Sequence, residues 1–426
     1  MKNSRRNFLK AFGTIGASIG LAPQLSANEL KNISLLDSIS SAPSTQTDES
    51  FWRWVQQSYT TSATLTNLNN GGVSPQPKVV QDAFERYNRL ANEAPSYYMW
   101  RILDKGRESL RQKLAGLAGV DAEEIVINRN TTEALETIIF GLPLKKGDEV
   151  VLSPFDYPNM KQGWLQRQMR EGIVIKWVEL PMPIENDEII VDAYKKQITS
   201  KTKLVHITHM INWTGQVLPA KKIADVAHEA GAEVLVDGAH SFAHLDFTIH
   251  VTGADYFGTS LHKWLCAPFG TGMMYIKKEK IAKIWPSLAP PNPQEDNIRK
   301  FEAQGTRSFP AEYAIGQAID FHKTIGVNRK AKRLHFLKNY WLEKALENPK
   351  IKSFTSLKAD YSGAIATIAI EGKTKNEVSQ ALMNKYQIHT TSVEIENVSG
   401  VRITPHIYTT LDELDKLVVA LNEIAQ

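Results

Sequence analysis

Val234-Leu-Val-Asp237-Gly-Ala-His240 and, a little further on, Gly258-Thr-Ser260-Leu-His262-Lys263 are the stretches on which the fold turns. In the first, a run of branched apolar residues ends in an acid and then Gly-Ala. That is the pattern of a buried parallel strand whose last side chain emerges at the carboxyl edge of a sheet, where open α/β sheets bind their ligands. The second stretch, entered through Ala254-Asp-Tyr-Phe, has the same pattern and delivers a lysine just past its end. One acid and one lysine therefore face a common edge.

That pairing suits pyridoxal phosphate. The lysine amine condenses with the cofactor aldehyde, and the carboxylate keeps the pyridine nitrogen protonated so that the ring can take up electrons. Lys263 and Asp237 are the candidates for these roles. The same two residues, taken alone, are equally compatible with a structural strand acid and a solvated lysine.

Outward from this pair the chain alternates strand and helix patterns. Strands are expected at Glu124–Asn128, Glu149–Ser153, Ile173–Glu179, Lys203–His209, Glu233–Asp237, Asp255–Thr259 and Gly272–Ile276. Intervening segments carry apolar residues at helical spacing, as at Ile223, Val226 and Ala227. The alternation predicts an α/β domain with a seven-stranded, mostly parallel sheet. Past Gly305 the pattern changes to helices around Ala311–Ile325 and Arg333–Leu346, short strands around Ala364–Ile370 and Val401–Thr404, and a terminal helix from Leu411. This reads as a smaller α+β domain.

At the other end, Ser4-Arg5-Arg6-Asn7-Phe8-Leu9-Lys10 precedes a mild apolar stretch that closes near Leu25-Ser26-Ala27. It has the form of a twin-arginine export signal, with cleavage placed after Ala27, and is too short and too rich in Gly and Ala for a membrane span. Ser38–Ser50 is rich in Ser and Thr with no apolar period, a linker composition, and Phe51-Trp-Arg-Trp-Val55 begins a segment expected to dock on the folded body. The resulting division is 1–27 signal, 28–60 linker and N-terminal segment, 61–310 cofactor domain and 311–426 small domain.

The chain has 426 residues, 42% of them hydrophobic, enough for a sizeable core. Residues 1–27 hold Lys2, Arg5, Arg6 and Lys10 and no acid, so the remainder carries 46 basic residues against 46 acidic ones. A neutral mature chain gives no reason to expect nucleic acid or an anionic membrane as partner. The single cysteine, Cys266, excludes an internal disulfide and a thiolate cluster within one chain. His206 and His209 are three apart in an expected strand and point to opposite faces, so no shared metal is expected.

The chain resembles class V aminotransferases, the fold-type I pyridoxal phosphate enzymes that include cysteine desulfurases and isopenicillin N epimerase. The resemblance runs from about Asn67 to the C-terminus. Its segments are Leu68-Asn-Asn-Gly-Gly72, Asn130-Thr-Thr-Glu-Ala134, Asp156-Tyr-Pro158, Asn212-Trp-Thr-Gly215-Gln-Val-Leu-Pro219, the acid and lysine stretches, Phe301-Glu-Ala-Gln-Gly305-Thr306-Arg307 and Val401-Arg402-Ile-Thr-Pro405-His406.

The resemblance implies that the cofactor phosphate is held by Thr131 and Thr132, at what reads as a helix N-terminus, together with Ser260 and His262. It implies that Gly305 and Thr306 reach the phosphate of a neighbouring subunit, hence a homodimer with shared active sites. Tyr157 would stack on the cofactor ring, Asn212 would bind its phenolic oxygen, and His240 replaces a glutamine that desulfurases use nearby. Arg402 matches the arginine that grips the substrate α-carboxylate, a task suited to a planar two-pronged donor; Arg307 could take a second carboxylate or border the cofactor. The bland alternatives are a helix cap at Thr131, a turn histidine at 240 and a surface arginine at 402.

One departure matters. Desulfurases carry a nucleophilic cysteine in a late loop, and the equivalent region here, His389-Thr-Thr-Ser-Val-Glu-Ile-Glu396, has none. Desulfurase activity is therefore not expected, and Cys266 reads as a packed small hydrophobe. The expected activity is a class V aminotransferase-type reaction at Cα of an amino acid. Isopenicillin N epimerase-like racemisation, a C–S or β-lyase reaction and a non-catalytic scaffold stand as alternatives. The twin-arginine machinery is the expected export partner, which implies a periplasmic or otherwise exported location and a chain folded with its cofactor before export.

Overall fold

The computed structural model describes residues 45–426; the twin-arginine-like segment and most of the linker lie outside the described residues. The seven strands foreseen along the chain are β1 (Ile125–Asn128), β2 (Glu149–Leu152), β3 (Val174–Trp177), β4 (Thr202–Thr208), β5 (Glu233–Asp237), β6 (Tyr256–Ser260) and β7 (Gly272–Ile276). They form one sheet in the order β1-β7-β6-β5-β4-β2-β3. Only β7 runs against its neighbours, so the carboxyl ends of the other strands share an edge. In register, Asp237 lies beside Thr208 of β4 and Gly258 of β6.

Strand side chains alternate between two cores: Ile125 and Ile127 enter one, Val126 the other. The sites where the strands deliver functional groups are fixed by tight helix packing on one of these faces. A Cβ at Gly258 would stand 2.7 Å from Leu135 and 3.0 Å from Ala134 on helix α2 (Thr131–Gly141). Only glycine lets α2 lie this close to β6.

The smaller unit has a four-stranded antiparallel sheet. Besides β9 (Ala366–Ile370) and β11 (Val398–Ile403), foreseen in the sequence, it contains β8 (Ile351–Ser353) and β10 (Thr391–Ile395), ordered β10-β11-β9-β8. Its core joins Leu337 and Trp341 to Ile368, Val401 and Leu414. A helix over Lys375–Tyr386 completes it, opened by a capping box between Thr374 and Glu377.

The two units meet in a closed seam. Gly215, at φ +76°, brings its backbone against Ile365; a Cβ there would meet the Ile365 carbonyl at 2.3 Å. Gln216 bridges to Ser362, and the Ala364 N–H donates to His244 Nε2 at 2.8 Å.

Two boundaries differ from expectation. Glu49 and Ser50, placed in the linker by composition, belong to helix α1 (Glu49–Gln57), which Asp48 caps by accepting from the Ser50 and Phe51 N–H groups. Phe51, Trp52 and Val55 are buried, and Glu49 pairs with Arg333, tying α1 to the body. The helix expected from Arg333 begins at Val327 instead. Its first turns put Lys330 and Arg333 on the buried face, which hides the apolar period.

Candidate active site

Asp237 closes β5, and Lys263 follows β6 by one turn. Asp237 is buried; its Oδ1 accepts the Ala239 N–H at 2.9 Å. Burial raises its pKa, and the Ala239 N–H, His206 and Lys263 act against that rise. A carboxylate in this position calls for a cationic partner. Burial lowers the Lys263 amine to about 8, with Asp237 opposing and Arg402 reinforcing the fall. Lys263 Nζ lies 3.2 Å from His240 Nε2.

At the start of α2 the capping role belongs to Asn130, whose side chain accepts the Glu133 N–H at 2.9 Å. Thr131 is thereby free of it. The Ser260 Oγ accepts the Thr131 N–H at 3.0 Å and lies 2.8 Å from the Thr131 Oγ1. Thr132 follows in the first turn of the same helix. Hydroxyls and a helix N-terminus in one place make a cradle for an anion. The His262 Nδ1–H donates to the Thr271 carbonyl at 3.0 Å, so Nε2 is the nitrogen left over. Burial, then the charge of Lys263, lowers His262 to about 4. A neutral ring offers only a lone pair at Nε2, and an anion bound beside it would favour the imidazolium, which donates.

Arg402 comes from β11 and is buried. Its Nη1 donates to the Asn212 carbonyl at 2.9 Å and its Nη2 to Asn69 Oδ1 at 3.0 Å. Burial lowers its pKa to about 10, with Tyr157 opposing, so it stays cationic at neutral pH. The Asn212 Oδ1 is buried without a partner among the described residues. Tyr157 stands just before helix α3 (Pro158–Glu171) and is 39% exposed.

Asp237, Lys263, His240, Asn212 and Arg402 are thus brought together from three strand ends and the seam. Three contributors were given no role of their own in the sequence reading. Asn69 anchors Arg402; Trp264 donates its indole N–H to His240 Nδ1 at 3.3 Å; buried Asp156 accepts from Thr208 Oγ1 and the Ser153 N–H, at 2.7 and 2.8 Å, and so fixes the turn before Tyr157. Burial raises Asp156 to about 6.

Other expected residues lie elsewhere. Gly305 and Thr306 are exposed ahead of helix α4 (Phe309–Ile325). Arg307 is held within its own chain: Asp104 and Glu312 take its Nη2 and Nε, each at 2.7 Å, and the guanidinium lies 4.1 Å over Phe309. Its carboxylate partners are internal. His206 receives the Trp164 indole N–H on one side of the sheet and His209 packs edge-on to Phe247 on the other. Cys266 is buried, 3.4 Å from His406 Nε2 and 3.7 Å from the Tyr59 hydroxyl.

The donor set fits pyridoxal phosphate: a buried acid for a pyridinium, an amine for an aldehyde, the Asn212 amide for the phenolic oxygen, and a hydroxyl-lined helix start for the phosphate. Comparisons with known proteins agree. The chain is 26% identical over 394 residues to isopenicillin N epimerase of Amycolatopsis lactamdurans, covering 88% of this chain and 99% of that one. It is 29% identical over 390 residues to a probable cysteine desulfurase of Halobacterium salinarum, covering 85% and 92%. Among solved structures it resembles C-DES with glycine covalently linked to its PLP cofactor, with TM-score 0.76 at 21% identity over 84% of this chain and 96% of that one. The aminotransferase class-V model matches residues 66–417. The chain therefore belongs to the class V aminotransferases, pyridoxal phosphate enzymes of fold type I.

Proposed function

We propose that the protein acts at the α-carbon of an amino acid with pyridoxal phosphate, which Lys263 would hold. The supporting observation is the meeting of a lowered lysine amine, a buried carboxylate and an anchored arginine at one edge of the sheet. Bound pyridoxal phosphate would supply an aldehyde for the amine and a ring that takes up the electrons released when a bond at Cα breaks. Asp237 would hold the pyridine nitrogen protonated, and Thr131, Thr132, Ser260 and His262 would hold the phosphate. Arg402 would receive the substrate carboxylate on its free N–H groups. Lys263, displaced by the substrate amine, would remove the proton at Cα.

A second reading is epimerisation, favoured by the likeness to isopenicillin N epimerase along nearly the whole chain. It requires another acid on the face opposite Lys263. His240 bonds Lys263 itself and so stands on the lysine side, which leaves Tyr157 for the opposite face. Twin-arginine export and a dimer completed by Gly305 and Thr306 belong to the same proposal.

The test is absorption spectroscopy of the reconstituted protein beside Lys263→Ala, with a panel of L- and D-amino acids. The visible band of lysine-bound pyridoxal should be lost in the variant. A keto acid product identifies transamination, inversion without keto acid identifies epimerisation, and release of a β-substituent identifies a lyase. A wild-type protein without the band, or with no response to any amino acid, would overturn the proposal in favour of a scaffold.

A further inference from the structure

Behind Lys263 lies a buried group of rings that the proposed chemistry does not employ. Trp264 is fully buried, with its indole N–H on His240 Nδ1. Its ring stacks on His244 at 3.7 Å and on His406 at 5.6 Å between centroids. His244 is fixed in turn. Its Nε2 accepts the Ala364 N–H, so its proton is on Nδ1 and is donated to the His240 carbonyl at 2.8 Å. The seam between the two units therefore holds both Trp264 and the backbone of His240.

An indole nitrogen can only donate. The His240 Nδ1 must then carry a lone pair, and the proton of the neutral ring must sit on Nε2, the atom 3.2 Å from Lys263 Nζ. An Nε2–H can only donate to the amine, and an ammonium has no lone pair to receive it. Both hydrogen bonds coexist only when Lys263 is neutral.

We propose that Trp264 is a positioning residue which fixes His240 as its Nε2–H tautomer and thereby holds Lys263 as a free amine, the form that can attack a carbonyl carbon or remove a proton. The inference rests on the reading of Lys263 given above. Burial keeps His240 neutral, well below the usual histidine range, and lowers Lys263 as well. The other charged or titratable groups facing these two are Asp237, Arg402 and His262 at the lysine, and Arg402 and His244 at the imidazole. Asp237 favours the ammonium and Arg402 the amine. Trp264 acts without contributing a charge, so its effect can be separated from theirs.

The test is the ionisation of Lys263 in the full-length protein before it is loaded with cofactor. It is read by mass spectrometry as the rate at which acetic anhydride acylates this lysine across pH. Wild type should show a midpoint near 8. Trp264→Phe should raise it by about 0.7, roughly a fivefold loss of free amine at pH 7, the equivalent of one neutral hydrogen bond. Alanine presents no ring for the indole to orient, so in a His240→Ala background Trp264→Phe should leave the midpoint unchanged. An unmoved midpoint with His240 present, or equal movement in both backgrounds, overturns the proposal. Nitrogen-15 NMR of histidine-labelled wild type tests it without any variant: His240 should show a pyridine-type Nδ1 and a pyrrole-type Nε2, and the reverse assignment refutes it. Neither readout involves turnover, so inactivity towards amino acids combined with these results would discard the proposed reaction alone.

Discussion

Arg402→Lys keeps the positive charge and removes the fork, and the structure fixes what that should cost. A guanidinium has five N–H donors. Two are committed, to the Asn212 carbonyl and Asn69 Oδ1, leaving three, enough for two parallel bonds to a carboxylate. An ammonium has three, and one that keeps both anchors has a single donor for the ligand. The loss is one charge-assisted hydrogen bond, about 1.5–3 kcal/mol, or roughly 10- to 150-fold in affinity. The assay is a comparison of KM, or of the concentration dependence of the spectral change, for an amino acid and for its carboxamide. The variant should lose the stated factor with the acid and almost nothing with the amide, so discrimination between them collapses. Equal losses for acid and amide would mean that Arg402 only holds the seam together, and no loss for either would place the carboxylate elsewhere.

Other expectations follow from the same groups. Lys263 titrates near 8 in the folded chain against an ordinary 10.5, so the rate of pyridoxal phosphate capture should be flat above about pH 8 and fall roughly tenfold per pH unit below 7. Because that pKa is lowered by folding, the lysine destabilises the unloaded protein fully below 8 and not at all above 10.5. Lys263→Met should therefore raise its stability by about 2–3 kcal/mol at pH 7 and progressively less towards pH 10, measured by denaturant titration. Ser260→Ala removes the hydroxyl shared with Thr131 and should weaken pyridoxal phosphate binding about tenfold, while pyridoxal without the phosphate binds as before. With Cys266 enclosed by Tyr59 and His406, incubation with L-cysteine should leave no persulfide on it, as read by alkylation and mass spectrometry; a persulfide there would revive the desulfurase reading.

The large sheet was legible because its central strands are buried on both faces and read as continuous apolar runs ending in Gly or polar punctuation, as Val234–Asp237 does. Strands β8 and β10 escaped because they are edge strands that carry exposed charged residues, such as Lys352 and Glu394. The helix over Lys375–Tyr386 could have been found from Thr374 and Glu377, a capping box in plain sequence. The first turns of the helix at Val327–Leu346 could not, since Lys330 and Arg333 are polar by type and buried in fact. In the site, Asp237 and Lys263 announced themselves by chemistry and position. Asn69 and Trp264 did not, because one acts through an arginine more than three hundred residues away and the other through the unseen direction of an indole N–H.

Arg402 belongs to the small sheet, yet its two anchors lie in segments outside that sheet, and Gly215 leaves the backbone no slack at the same seam. On the proposed reading of Arg402, the receptor for the substrate carboxylate is assembled by folding and does not wait for substrate to draw the two units together. Its ordering entropy is already spent when the ligand arrives. Association should then be a single kinetic phase whose observed rate climbs linearly with amino acid concentration, without the plateau of a slow closing step.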